Sequence, residues 1–336
     1  MRLLMTAAAR ELLGGRLDAM APDLELVLMD AEGRCSLADQ PGQALEPAEV
    51  RPDLVWLSTD TFERELLPSM FGVVLDPAAS VRWIQTFNAG LDNPVWKMVM
   101  ERGTRLCKSS AQAPVIAEYV MAHALSLIVP VDRQRELQAD HSWERTPYRD
   151  VGLTRWVIVG FGPIGQELAA RLAPFEVHLT VVRRSPEAPG ADAVTTMDRL
   201  HELLPEADVV VLACASNDET RGMADEAFFA AMAPGSILIN IGRGDLVDED
   251  ALRTALDRSR PATAVLDVTG VEPLPEDSWL WDHPAIRLSA HTSSAGAGTV
   301  ARGTQLFLDN LRRFLADQPL LNEAPPSEVG ITRSSG

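Results

Sequence analysis

The sequence predicts an α/β protein of two lobes, one a complete doubly wound parallel sheet, the other a smaller α/β domain closed by the chain's last helix. Three observations predict it. Short β-rich runs alternate with helical patterns along most of the chain. A glycine-rich turn follows the first run of the second series. The 336 residues, 46% hydrophobic and 23% charged, are too many for one average domain and too apolar for disorder.

The first series comprises residues 2–5, a helix-like 7–20, then 24–29 and 54–58. The second comprises 156–159, 177–182, 208–213, 236–241, 263–268 and 286–289, enough strands for a doubly wound sheet. Between them lies a long helical stretch, 113–138. After them, 299–316 carries Val300, Phe307, Leu311 and Phe314 at helical spacing. The first sheet lacks material after Gly90 to cover itself, so this last helix is expected to return to it. The expected division is 1–111 with 291–321 for the discontinuous substrate domain, 112–290 for the other, and a mobile tail over 322–336, rich in Pro, Ser and Gly. A cleft between two such lobes is a natural place for a small substrate.

Acidic residues outnumber basic ones, 48 to 30, and the net charge of -18 argues against a nucleic-acid partner. Cys35, Cys107 and Cys214 are isolated and lack CxxC spacing, which implies neither a disulfide framework nor a zinc site and fits a reducing cytoplasm. No histidine pair has metal-ligand spacing. Arg10 and Glu11 interrupt the apolar N-terminus before a signal-sequence core develops, and the longest apolar stretch, 115–131, contains Glu118 and His123 and is short for a bilayer crossing. No membrane association is expected.

The run 156–159 leads directly into Gly160-Phe161-Gly162-Pro163-Ile164-Gly165 and a helical segment. This is a dinucleotide-binding turn: the first glycine permits the bend, the second admits a pyrophosphate, and the third lets helix and strand approach. Pro163 suits the first helical turn, where an N–H has no intrahelical partner. A protein selective for NAD should carry Asp or Glu at the end of the next strand, to hold the ribose hydroxyls. Here the strand ends Arg183-Arg184-Ser185, with no carboxylate before Glu187. Two guanidinium groups and a hydroxyl suit a 2′-phosphate, so NADP(H) is expected over NAD(H), which stays the alternative.

Three late segments place ionisable residues at carboxyl ends of strands, where such sheets do chemistry. They are Asn240-Ile241-Gly242-Arg243-Gly244-Asp245, Leu266-Asp267 with Glu272-Pro273, and Ser289-Ala290-His291-Thr292. Alone, Arg243 would be a surface arginine, Glu272 a loop acid and His291 a strand-end histidine; their joint occurrence behind a dinucleotide turn makes them a candidate site, and the family resemblance given below implies reduction of a 2-oxo acid there, for which the residue types are suited. An imidazole, with an ordinary pKa of about 6.5, can protonate the carbonyl oxygen as hydride reaches C2. A carboxylate on its far nitrogen orients it, the role assigned to Glu272, and Arg243 can grip the substrate carboxylate while polarising the carbonyl.

From residue 81 to 314 these motifs, with Ile84-Gln85-Thr86, Ala89-Gly90-Leu91-Asp92, Ile116-Ala117-Glu118-Tyr119 and Met232-Ala233-Pro234-Gly235, resemble the D-isomer-specific 2-hydroxyacid dehydrogenases. The Arg-Arg-Ser strand end looks most like their glyoxylate and hydroxypyruvate reductase branch. The resemblance implies a Rossmann domain beside a flavodoxin-like one, a homodimer, D stereochemistry, and the family's Arg, Glu and His at Arg243, Glu272 and His291. It also implies substrate contacts from Ala89 and Gly90 and a nicotinamide contact from Asp267. Cys214, Ala215, Ile241 and Gly242 join Gly160, Gly162, Pro163, Ile164, Gly165, Arg183, Arg184 and Ser185 as expected cofactor contacts. Asn88 and Cys214-Ala215-Ser216 depart from family pattern, and Trp279 and Trp281 suit a pocket, a subunit contact or plain packing. The expected function is NADPH-preferring reduction of small 2-oxo acids. The alternatives are a phosphoglycerate-type dehydrogenase and a dinucleotide-sensing protein without turnover.

Overall fold

The computed structural model describes residues 1–91 and 93–331, and its contacts divide the chain into two units, 1–112 with the chain from Ala297 onward, and Ala113–Gly296. In the first unit the strands are β1 (Arg2–Thr6), β2 (Glu25–Met29), β3 (Cys35–Leu37), β4 (Ala44–Leu45), β5 (Leu54–Leu57), β6 (Trp83–Thr86) and β7 (Arg105–Cys107). They lie in the order β4-β3-β2-β1-β5-β6-β7. The five from β2 to β7 are parallel and, counted by themselves, follow the flavodoxin-like order, with β3 and β4 added antiparallel at one edge. Every residue of β5 and β6 is buried, as strands covered on both faces require.

The helix Gly298–Leu315 packs on this sheet. Phe307, fully buried, stacks on Trp56 at 4.3 Å and on Trp83 at 5.9 Å between ring centroids, and Phe314 stacks on Trp83 at 5.5 Å. Its apolar stripe is thus spent on tryptophans that strands 50 and more residues into the chain present.

In the second unit, β8 (Arg155–Val159), β9 (His178–Val182), β10 (Ala193–Thr195), β11 (Val209–Leu212), β12 (Ile237–Asn240), β13 (Thr263–Leu266) and β14 (Ile286–Leu288) form one parallel sheet in the order β10-β9-β8-β11-β12-β13-β14. This is the Rossmann order with one strand added at the far edge, and the chain reverses direction across the sheet between β8 and β11. The carboxyl ends of those two strands mark the switch point, which is where such sheets bind ligands.

Several expectations need correction. The segment 7–20 is two helices, Ala7–Leu13 and Arg16–Met20, parted by Gly14 and Gly15, and the segment 113–138 is Ala113–Ile128 and Val131–Ala139, parted at Pro130. The strands β3, β4, β6, β7 and β10 were not among the expected runs. The boundary near 290 falls instead at Gly296, because the turn carrying His291 is tied to β13, and the boundary at 111 moves to Gln112. The tail is docked as far as it is described: Ala324 N–H donates to the Leu106 carbonyl at 2.8 Å, Arg105 pairs with both oxygens of Glu323 at 2.8 Å, and Lys108 pairs with Glu328 at 2.5 Å. Composition concealed this because the docking rests on main-chain pairing to the edge of β7 and on ion pairs, with Ala324 and Val329 supplying apolar contacts too few to show as a pattern. Asp92 and the end of that tail, 332–336, lie outside the described residues. No single helix among the described residues is long and apolar enough to cross a membrane.

Replacing Phe307 by Ala removes the ring that two tryptophans sandwich and should cost about 3–5 kcal/mol of stability. Urea unfolding measures it; a loss below about 1 kcal/mol would mean that the helix contributes little to this core.

Candidate active site

At the crevice of the second sheet, β8 turns through Gly160 at φ +99°, and Gly160 N–H donates to the Val182 carbonyl at 2.9 Å. A Cβ there would stand 2.7 Å from the Ala213 carbonyl oxygen and 2.8 Å from Cys214 Cα, so conformation and crowding both demand glycine. At Gly165 a Cβ would stand 2.7 Å from the Gly160 oxygen, which holds the helix Pro163–Leu172 close to its strand. Gly162 differs. A Cβ there would meet nothing within 4 Å, so no protein contact explains the missing side chain. The bare space lies at a helix N-terminus whose first N–H groups have no intrahelical partner, a cradle that fits the pyrophosphate of a dinucleotide. Pro163 begins the helix, and Ile164 packs partly buried against the core.

Other expected cofactor residues surround the same crevice. Cys214 follows β11, and its carbonyl oxygen would lie 2.8 Å from a Cβ on Gly242, so the backbone at 214 is pressed between two glycines. Ala215 accepts a hydrogen bond from Thr220 Oγ1 at 2.8 Å, and Ile241 is buried in the core. At the end of β9 the Arg183 guanidinium lies 5.5 Å from the centre of the Phe161 ring and donates to the Glu187 carbonyl, while Arg184 and Ser185 are exposed. Neither arginine pairs with a carboxylate among the described residues.

The three candidate catalytic side chains follow adjacent parallel strands. Arg243 comes after β12, where buried Asn240 shapes the loop: its Oδ1 accepts Gly242 N–H at 3.1 Å and its Nδ2 donates to the Arg243 carbonyl at 2.8 Å. Arg243 Nη1 donates to the Gly242 carbonyl at 2.7 Å. Glu272 comes after β13; one oxygen accepts Thr269 N–H at 3.1 Å, and Oε2 lies 2.8 Å from His291 Nδ1. His291 follows β14 at φ +49°, and its N–H is shared between the carbonyls of Asp267 at 2.9 Å and Ser289 at 3.1 Å.

Asp267, expected as a nicotinamide contact, is largely committed to its own chain. It is 2% exposed. Its Oδ1 accepts Ser289 Oγ–H at 2.6 Å, Thr292 N–H at 2.9 Å and Ser293 N–H at 3.0 Å, and its Oδ2 accepts Ser293 Oγ–H. Ser289 is also 2.8 Å from Tyr119 Oη. A carboxylate only accepts, so the single Ser289 proton goes to Asp267 and the tyrosine must donate. Burial pushes the Tyr119 phenol up and pushes His123, whose ring lies tilted against it at 4.4 Å between centroids, down.

Sequence reasoning assigned no role to Asn240, Ser289 or Ser293, although each adjoins a quoted motif at a strand end. Tyr119 arrives from a helix 170 positions earlier, inside a motif quoted for the family resemblance but with no role assigned to it. Ala89 and Gly90 belong to the first unit, in the loop after β6, with Ala89 exposed and Gly90 half-buried. Trp279 packs against the core and under Arg253, and Trp281 is half exposed with its indole N–H on the Pro275 carbonyl at 2.8 Å. Among the described residues no group of three or more His, Cys, Asp or Glu could hold a metal ion.

A glycine cradle at the switch point of a Rossmann sheet, with an acid–imidazole pair at neighbouring strand ends, defines a nicotinamide dinucleotide oxidoreductase. The chain belongs to the D-isomer specific 2-hydroxyacid dehydrogenase family, whose NAD binding domain model matches residues 121–293. A human protein named glyoxylate reductase/hydroxypyruvate reductase is 30% identical over 267 residues, covering 74% of this chain and 79% of that one. Its mouse counterpart is 29% identical, covering 90% and 96%. The crystal structure of a family member from Aeromonas salmonicida superposes with a TM-score of 0.76 at 28% identity, covering 97% and 98%.

Burial raises the thiol of Cys214 to about 11, that of Cys35 to about 11 and that of Cys107 to about 12. At pH 7.5 on the order of one sulfur in a thousand, or fewer, is thiolate. Iodoacetamide should leave all three unmodified in the folded protein, by mass spectrometry, and label all three in urea. Labelling of folded Cys214 at the rate of free glutathione would contradict that environment.

Proposed function

We propose that the chain reduces small 2-oxo acids, of the glyoxylate or hydroxypyruvate class, to D-2-hydroxy acids, with NADPH preferred. The observation that carries this is the 2.8 Å contact of His291 Nδ1 with Glu272 Oε2 at the carboxyl end of the sheet. With Nδ1 turned to the carboxylate, the imidazole presents Nε2, the nitrogen that donates a proton to the carbonyl oxygen and takes it back in the oxidative direction. Gly160, Gly162 and Gly165 would hold a dinucleotide, which would supply the hydride to C2 or take it up in the oxidative direction. Arg243 pairs with the substrate carboxylate and polarises the carbonyl, a planar fork on a planar anion. The names of the human and mouse relatives support the substrate class.

Support for NADPH comes from the second strand end. Arg183 is held over Phe161 of the phosphate turn, Arg184 and Ser185 are exposed beside it, and no carboxylate occupies the place of the NAD-selective acid. We place the protein in the cytoplasm on its three unpaired thiols. We take it to be a homodimer; Trp143, fully exposed, with Tyr148 and Leu153 exposed too, leaves apolar surface that a second copy would cover.

His291→Ala should lower the rate of 2-oxo acid reduction by about 10²–10⁴-fold while NADPH still binds, followed by its fluorescence. A variant that keeps its rate would remove the proton-donor role. Reduction by the unmodified enzyme should decline as pH rises, since the reaction consumes the imidazolium proton. Glu272→Gln withdraws the charge that favours the imidazolium, so the decline should move to lower pH, and an unmoved profile would reject the pairing. Arg183→Asp should shift the NADPH-to-NADH ratio of kcat/KM toward NADH by about 10–100-fold, the worth of one charge-assisted pair. An unchanged ratio would reject the cofactor assignment.

A further inference from the structure

Three loops carry the charged groups of the site, and one side chain outside it ties the Arg243 loop to the Glu272 loop. Glu249 begins the helix Glu249–Leu256 that follows the Arg243 loop. Its Oε1 accepts Gly270 N–H at 2.8 Å, in the loop that leads to Glu272. Gly270 offers bare backbone for this contact; a Cβ there would stand 3.3 Å from the same oxygen. The neighbouring chain is in closer contact still, for a Cβ on Gly244 would stand 1.9 Å from the Thr269 carbonyl oxygen and 2.6 Å from Gly270 N. Thr269 N–H donates to Glu272 Oε1 at 3.1 Å, and Thr269 Oγ–H donates to the Val271 carbonyl at 2.9 Å. A continuous path thus runs from Glu249 through Gly270 and Thr269 to Glu272, and from Glu272 Oε2 to His291 Nδ1.

The helix does not need Glu249 for its own start. Asp248 caps it, with Oδ1 accepting Asp250 N–H at 3.1 Å and Ala251 N–H at 3.0 Å. Nor does Glu249 pair with any cation among the described residues. Its one directed contact is across to the neighbouring loop.

We propose, resting on the assignment of His291 as proton donor, that Glu249 is a positioning residue: its bond to Gly270 holds the 269–272 turn so that Glu272 stays on His291, and it fixes that pair to the loop of Arg243. The donor is a neutral amide, so the role needs an acceptor oxygen at the right reach, not a negative charge. Glutamine keeps that oxygen. Aspartate keeps the charge at the helix start but falls one methylene short.

The test compares pH profiles of 2-oxo acid reduction with NADPH for the unmodified enzyme, Glu272→Gln, Glu249→Ala, Glu249→Asp and Glu249→Gln, with thermal unfolding of each measured separately. Glu249→Ala and Glu249→Asp should both move the alkaline decline toward the position seen in Glu272→Gln. Their kcat at neutral pH should fall by about tenfold, as misplaced catalytic groups do, with NADPH affinity changed less than about threefold. Glu249→Gln should restore the midpoint. Should Glu249→Ala fold poorly, Glu249→Asp carries the same comparison with the helix-start charge kept. Profiles of Ala and Asp variants that overlay the unmodified enzyme, whatever their melting temperatures, would overturn the positioning role, as would a glutamine variant displaced as far as alanine. If Glu272→Gln itself leaves the profile unmoved, the failure belongs to the acid–imidazole assignment; if it moves the profile and the Glu249 variants do not, the failure is confined to Glu249.

Discussion

Four hydrogen-bond donors converge on the buried carboxylate of Asp267, and the placement of the His291 imidazole depends on them. His291 sits at φ +49°, a conformation that costs a residue with a Cβ about 1–2 kcal/mol. A hydrogen bond to a charged acceptor returns about 1.5–3 kcal/mol, so the set around Asp267 outweighs the strain several times over. The carboxylate tolerates burial because nearly all its acceptor capacity is filled. The turn is therefore held from beneath by β13, from the side by the Tyr119 hydroxyl acting through Ser289, and at the ring by Glu272. An imidazole fixed in this way keeps Nδ1 on its carboxylate and leaves Nε2 clear of that contact, an arrangement that, in the proposed role, needs no reorganisation before proton transfer.

The sheet beneath the site explains why the other groups gather where they do. Parallel strands all end on one side, so the loops after β8, β11, β12, β13 and β14 share one rim. Where the order reverses, between β8 and β11, the crevice is kept narrow by Gly160 and Gly242 against the backbone at Cys214. The cradle at Gly162 opens beside it. Gly160, Gly162 and Gly165 would hold a dinucleotide there, on the same rim as the loops of Arg243, Glu272 and His291, and it would supply the hydride for the proposed reaction.

Much of this was legible in the sequence, and the limits of legibility have physical reasons. All six expected strands of the second series formed, because buried parallel strands read as continuous apolar runs such as Val209–Leu212. Ala193–Thr195 was missed since it is three residues long at an edge, with no residue buried. The glycine turn and the Arg243, Glu272 and His291 motifs stood out because each is a short run of unusual residues at a strand end. Asp267 was singled out, but sequence could not show that its acceptor capacity goes to the chain itself; that follows from Ser289, Thr292 and Ser293 folding back over β13. The Glu249 contact was equally hidden, since it joins two loops whose separation only the sheet sets. The docking of residues 322–331 was misread because main-chain pairing to β7 leaves no mark on composition.

Steady-state turnover across small, branched and aromatic 2-oxo acids, followed by the absorbance of NADPH and then of NADH, bears most directly on the central claim that this imidazole–carboxylate pair protonates a ketone. The account gives turnover that is fastest for the smallest 2-oxo acids and faster with NADPH. Saturable NADPH binding with no oxidation by any 2-oxo acid would contradict it.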